Sequence, residues 1–127
     1  MHKISYAHII FAQTIYNKQT TSTIQIQRTL DKAKEAVDKI ETNIANNSED
    51  VVQANELLKS LKLIPMECNL ADLSSIDAFV KNLNAGDKFD AVCYNAGLAR
   101  NTAATDVART KQNFELTVGT NHLGHFY

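Results

Sequence analysis

Three strand-like runs, TIQIQ at 23–27, LKLIPMEC at 61–68 and KFDAVCY at 88–94, alternate with helix-patterned stretches, and this alternation leaves few folds open. Strands separated by helices need crossover connections, and crossovers build parallel sheets. After the first run, Leu30, Ala33, Val37, Ile40 and Ile44 recur at helical spacing, while Asp31, Lys32, Lys34, Glu35, Asp38 and Lys39 form the solvated side. Asn46, Asn47 and Ser48 break that helix. Ser48, Glu49 and Asp50 then offer a cap and acidic first turn to a second helix bearing Val51, Ala54, Leu58 and Leu61. Pro65 has no N–H to give a ladder, so its strand belongs at a sheet edge. Ser74 and Asp77 form a capping box for a helix with Ile76, Phe79, Val80 and Leu83 on one face, stopped by Gly86. Residues 88–94 read as a buried strand, 98–109 as loop, and a last helix begins near Thr110. The fold expected is α/β: a partial, doubly wound parallel sheet with flanking helices, one domain over 1–127.

Composition removes several functions. The 127 residues carry 13 basic and 14 acidic side chains, a net charge of -1, with no basic patch for nucleic acid. Cys68 and Cys93 are too few for a disulfide framework and too far apart for a zinc knuckle. His122 and His125 could face one ion, but no third ligand accompanies them, so no metal is expected. The apolar run ISYAHIIFAQTIY at 4–16 is shorter than the roughly 20 residues of a membrane span. Lys3 is the only lysine or arginine before it, which argues against a signal peptide, and the two cysteines suit a reducing compartment, so the setting expected is intracellular, cytoplasmic or plastid.

The chemistry gathers in three short motifs: NLADL at 69–73, YNAG at 94–97 and TNHLGHF at 120–126. In an open parallel sheet, ligands bind beyond the carboxyl ends of the strands, and Asn95, Ala96 and Gly97 leave a strand at such an end. Gly97 lets the backbone approach a ligand, and the Asn95 amide can tie neighbouring strands. Asn69, at the end of the Pro65 strand, suits an Asx-turn equally well. Arg28, directly after TIQIQ, suits a ribose 2′-phosphate better than a bare hydroxyl. Gly119 and Gly124 flank Asn121 inside a helix pattern in which Phe114, Val118, His122 and Phe126 recur every four residues. Each glycine costs about 1 kcal/mol against alanine there, which a kink or close packing would justify.

In order and spacing, these motifs resemble the short-chain dehydrogenase/reductase family over residues 23–127. The pattern is most like its light-dependent protochlorophyllide reductase branch, with retinol-dehydrogenase-like members next. The resemblance implies a Rossmann-like fold and an NADP(H) cofactor held by Arg28, Asn69, Leu70, Asn95, Ala96 and Gly97. It implies hydride transfer to a C=C or C=O bond of a small-molecule substrate. Asn121 would be the family's helix asparagine, whose backbone carbonyl holds a water leading to the active-site lysine. The terminal helix would be a surface for homo-oligomers.

Two family features have no counterpart. The first glycine is Gly86, so no glycine-rich turn precedes TIQIQ, and Tyr127 has no lysine four residues on. The expectations are a fragment inactive on its own, with the sheet's first strand missing. Residues 1–22 are expected to form a divergent N-terminal helix, with Ile4, Ala7, Phe11 and Ile15 on its apolar face. The strands at 23–27 and 88–94 would then lose their shared neighbour. The alternatives are a non-catalytic, decayed reductase serving as a dimerisation module, and an unrelated flavodoxin-like α/β domain.

Overall fold

The computed structural model of the chain, which describes residues 9–14, 21–47, 50–100 and 106–127, places four strands in one sheet. They are β1 (Ile9–Thr14), β2 (Thr21–Gln27), β3 (Leu61–Glu67) and β4 (Ala91–Cys93), in the spatial order β3-β2-β1-β4. β2 and β3 are parallel, with Ile24 opposite Ile64, while β1 runs antiparallel to both β2 and β4. Three strands therefore point one way and one runs against them.

β1 corrects the expectation of an N-terminal helix and of an empty centre. Phe11 pairs with Ile24 on one side and Val92 on the other, so β1 fills the space between β2 and β4. A strand there satisfies two rows of backbone groups that a helix would leave unpaired. Ile4, Ala7 and Ile15 lie outside the described residues. Pro65 does sit on the edge strand β3, opposite Gln25.

α1 (Leu30–Asn47) and α2 (Val51–Ser60) cross from β2 to β3. α1 buries Ala33 and Val37 against β2 and β3, while Leu30 stays 40% exposed. Asp50 caps α2, its carboxylate accepting from the Val52 and Gln53 N–H groups at 2.8 and 3.2 Å. Along β2, residues alternate between faces. Ile24 and Ile26 meet Cys68, Leu70, Ile76 and Phe79 in the main core, flanked by Ile64, Met66, Leu73, Leu83, Phe89 and Ala96.

α3 (Leu73–Lys81) buries Ile76 and Phe79 as its spacing predicts, but Val80 points outward. Its cap is Asp72, whose carboxylate accepts from the Ser74 N–H at 3.0 Å, so the helix starts two residues earlier than the expected Ser74 cap would set it. It ends at Asn82, and Gly86 (φ +102°) serves the following turn instead. β4 is shorter than 88–94 and exposed, not buried. Among the described residues it pairs on one side only, and no helix packs over it. The terminal helix begins at Leu116 rather than Thr110, because Asn113 takes a left-handed φ of 69° and Glu115 is the cap.

Candidate functional site

A cleft of about 680 Å³ opens at the carboxyl ends of β2 and β3 and runs along α1. Its lining includes Gln25, Gln27 and Arg28 from β2 and its exit, and Asn69 and Leu70 after β3. Ala96, Gly97 and Leu98 after β4, and Leu116 and Thr120 of the terminal helix, complete one side. Lys32, Glu35, Lys39 and Asn43 line it from α1. Arg28, Asn69, Leu70, Ala96 and Gly97 thus share one cleft, while Asn95 is exposed and lies outside its lining. The charged groups are three cations and one carboxylate, with Glu35 paired to Lys39 at 2.5 Å. The balance favours an anionic ligand.

The wall beyond β4 is held by the terminal helix. Asn121 is outside the lining but grips it: Oδ1 accepts from the Leu98 N–H and Nδ2 donates to the Leu98 carbonyl, each at 2.8 Å. His125 Nε2 donates to the Ala96 carbonyl at 2.7 Å, which fixes the proton on that nitrogen because a carbonyl only accepts. The His125 ring meets Tyr94 edge to face at 5.6 Å. A Cβ on Gly97 would come within 3.3 Å of Asn121 Oδ1, so glycine lets the loop and helix close up.

The two helix glycines have the same purpose. A Cβ on Gly124 would strike the Leu70 carbonyl, and one on Gly119 would strike Thr110. The helix consists of an α turn (Leu116–Val118), a π turn (Gly119–Leu123) and a final α turn (Gly124–Phe126). The wider turn carries Asn121, and single π turns recur at functional sites. It also breaks the fourfold spacing read from the sequence. Phe114 precedes the helix, and only His122 and Phe126 stack, at 6.4 Å. The sequence spacing of His125 carries no sign that it would reach Ala96.

Asn69 forms the Asx-turn. Its Oδ1 accepts from the Ala71 N–H at 3.1 Å, and its own N–H donates to Ser75 Oγ at 2.9 Å. Asp72 then gathers Lys111 Nζ at 2.7 Å, Gln112 Nε2 at 3.2 Å and Ser74 Oγ at 2.6 Å. These bonds, Lys111's first, hold its carboxyl well below the usual range. The cluster ties residues 111–112 to the NLADL turn. The Cys68 thiol, buried beside the cleft, is pushed up to about 11, first by burial and then by Glu67.

Two buried side-chain polar atoms have no hydrogen-bond partner among the described residues: Thr120 Oγ1 and His125 Nδ1. Thr120 is 7% exposed and lines the cleft. An unbonded buried hydroxyl costs about 1–3 kcal/mol, so a ligand that supplies its partner recovers that cost. The groups present therefore suit an anionic, hydrogen-bonding ligand at the Arg28 end. Among the described residues no cluster of His, Cys, Asp and Glu could hold a metal ion.

No family model and no solved structure matches the chain. Curated relatives do. The chloroplastic protochlorophyllide reductase of Chlamydomonas reinhardtii is 44% identical over 62 residues, 48% of this chain and 15% of that protein. The Cucumis sativus protein of the same name has the same identity and coverage. Protochlorophyllide reductase A of Arabidopsis thaliana is 40% identical over 62 residues, again 15% of its length. The chain thus spans about 15% of the curated relatives it matches. About half of it is akin to a stretch of these oxidoreductases, which agrees with the resemblance read from the three motifs.

Proposed function

We propose that this chain is the nucleotide-binding part of an NADP(H)-dependent short-chain oxidoreductase. Its reaction would be hydride transfer to a C=C bond of a tetrapyrrole of the protochlorophyllide kind, or to a C=O bond. One observation carries the reading: Arg28, Asn69, Leu70, Ala96 and Gly97 line a single cleft at the carboxyl ends of the strands. In this reading the Arg28 guanidinium takes the 2′-phosphate, the Asn69–Leu70 turn borders the base, and the Ala96–Gly97 backbone forms the opposite lip. Asn121 is the family's catalytic-set asparagine, and in this chain its side chain holds that lip. NADPH, when bound, supplies the hydride. Proton donation requires a tyrosine with a lysine four residues on. None of Tyr6, Tyr16, Tyr94 and Tyr127 has one, so the 127 residues alone are expected to bind without turning over.

Fluorescence titration tests the reading. The 127-residue chain should bind NADPH at least about tenfold tighter than NADH, and Arg28→Glu should erase that preference. Failure of both coenzymes to saturate would sink it.

One observation favours a second reading, a module that associates with another copy of itself. Phe126, Tyr127 and Val118 of the terminal helix are 86%, 63% and 54% exposed. A dimer by size-exclusion chromatography that ignores NADPH would favour this version over the first.

A further inference from the structure

A dinucleotide needs a seat for its diphosphate, and such seats are built from backbone N–H groups at a vacant helix N-terminus after a glycine-rich turn. Here every helix N-terminus among the described residues already holds one of the chain's own carboxylates. Glu67 Oε2 accepts from the Leu30 N–H of α1 at 3.3 Å. Asp50 occupies α2 and Asp72 occupies α3. Glu115 accepts from Thr117 and Val118 N–H at 2.9 and 2.7 Å at the head of the terminal helix. A phosphate brought to any of these ends would meet a negative charge.

Among the described residues the centre of the sheet offers no replacement. β1 runs backwards, so its start, at Ile9 and Ile10, lies beside Ile26 and Cys93 at the carboxyl ends of β2 and β4. The chain enters a strand at that point, where a dinucleotide fold would leave one and begin a helix. No glycine precedes Gly86, so residues 1–85 contain no glycine-rich turn. Volume does not decide the matter, since about 680 Å³ is ample. The chemistry of the walls does. Arg28 and Lys32 are cationic at one end, Gln25 and Gln27 offer amides, and Thr120 offers a buried hydroxyl that lacks a partner among the described residues.

We propose that the cleft takes a nucleoside bearing one ribose phosphate, of the adenosine 2′-phosphate type, and does not hold a dinucleotide across its diphosphate. This rests on reading the cleft as a nucleotide site. Isothermal titration of the 127-residue chain with adenosine 2′-monophosphate, NADPH and nicotinamide mononucleotide tests it. Adenosine 2′-monophosphate and NADPH should bind within about threefold of each other, and nicotinamide mononucleotide should not bind. NADPH binding about tenfold or more tighter than the monophosphate would overturn the half-site while leaving the nucleotide cleft standing. If none of the three binds, the nucleotide reading itself fails and the half-site with it.

Discussion

Asn121 and Leu98 are joined by two hydrogen bonds of 2.8 Å, one in each direction, between a side-chain amide and a single residue's backbone. Only asparagine offers both a donor and an acceptor at this reach. Asn121→Asp keeps the bond from the Leu98 N–H but sets a carboxylate against the Leu98 carbonyl, and Asn121→Leu loses both. Because Asn121 is itself exposed, water replaces part of what is lost. Each variant should lose about 1–2 kcal/mol in urea unfolding, with Asp no better than Leu despite its similar shape.

Gly124→Ala sets two effects against each other. Helix propensity alone favours alanine by about 1 kcal/mol. The new Cβ, however, would meet the Leu70 backbone carbonyl, which cannot swing aside as a side-chain tip can. A Cβ driven into a backbone oxygen belongs at the upper end of the overpacking range, about 3 kcal/mol, so the net effect should be a loss of about 2 kcal/mol. Gly86→Ala has open space around it and only a strained φ of 102° to accommodate, costing about 1 kcal/mol. Thermal unfolding should therefore rank Gly124→Ala below Gly86→Ala; the reverse order would mean the helix lies further from Leu70.

The same glycines show what the sequence could and could not reveal. Gly119, Asn121 and Gly124 announced a helix under a close constraint, and the constraint is real. The π turn that serves it was invisible, since it depends on contacts with Thr110 in the preceding loop and with Leu70, far away in the chain. Periodicity placed α1 and the buried face of α3 because each lays an apolar stripe on the rest of the fold, Ala33 and Val37 against β2 and β3, Ile76 and Phe79 in the main core. It failed at β1, where a short apolar run fits helix and strand alike until partners on both sides decide. Pro65 located the edge because a missing N–H is a property of the residue itself. The gathering of Arg28, Asn69 and Gly97 was legible only through motif order, and the reversed direction of β1 had no local signature.

Asp72 should govern part of the acid response. Its carboxyl is held low in the folded chain by Lys111 first, then by Ser74. A depressed carboxyl contributes stability above its unfolded value of about 3.9 and loses that contribution as pH falls through the folded value. The unfolding midpoint of the wild-type chain, followed from pH 6 to pH 2.5, should thus drop below about pH 4 more steeply than that of Asp72→Asn. Lys111→Met should flatten the profile in the same way. Glu115, also held low by the Thr117 and Val118 N–H groups, is common to all three proteins and cancels in the comparison.

The two cysteines should separate cleanly. Cys93 is exposed on β4, whereas Cys68 is buried with its thiol pushed up to about 11. Thiolate is the reactive form, so at pH 8 Cys68 is slowed both by burial and by a much smaller ionised fraction than a free thiol near 8.5. A disulfide-exchange reagent should release one equivalent quickly and the second only on unfolding. Cys93→Ser should abolish the fast phase; a fast phase surviving that change would place Cys68 at the surface.

Thr120 should separate stability from binding, because the two respond to its hydroxyl with opposite signs. In the free chain Oγ1 is buried without a partner among the described residues, so Thr120→Val removes a desolvated polar atom and fills its place with a methyl group. The variant should be as stable as wild type or up to about 1 kcal/mol more stable, where most buried substitutions destabilise. In the cleft the same hydroxyl is the ligand's partner, so Thr120→Val should weaken adenosine 2′-monophosphate about tenfold while Thr120→Ser retains most of the affinity. A residue that merely packs would move both quantities the same way. Equal losses in urea unfolding and in titration for Val, with no rescue by Ser, would return Thr120 to the core and leave the cleft without its buried polar contact.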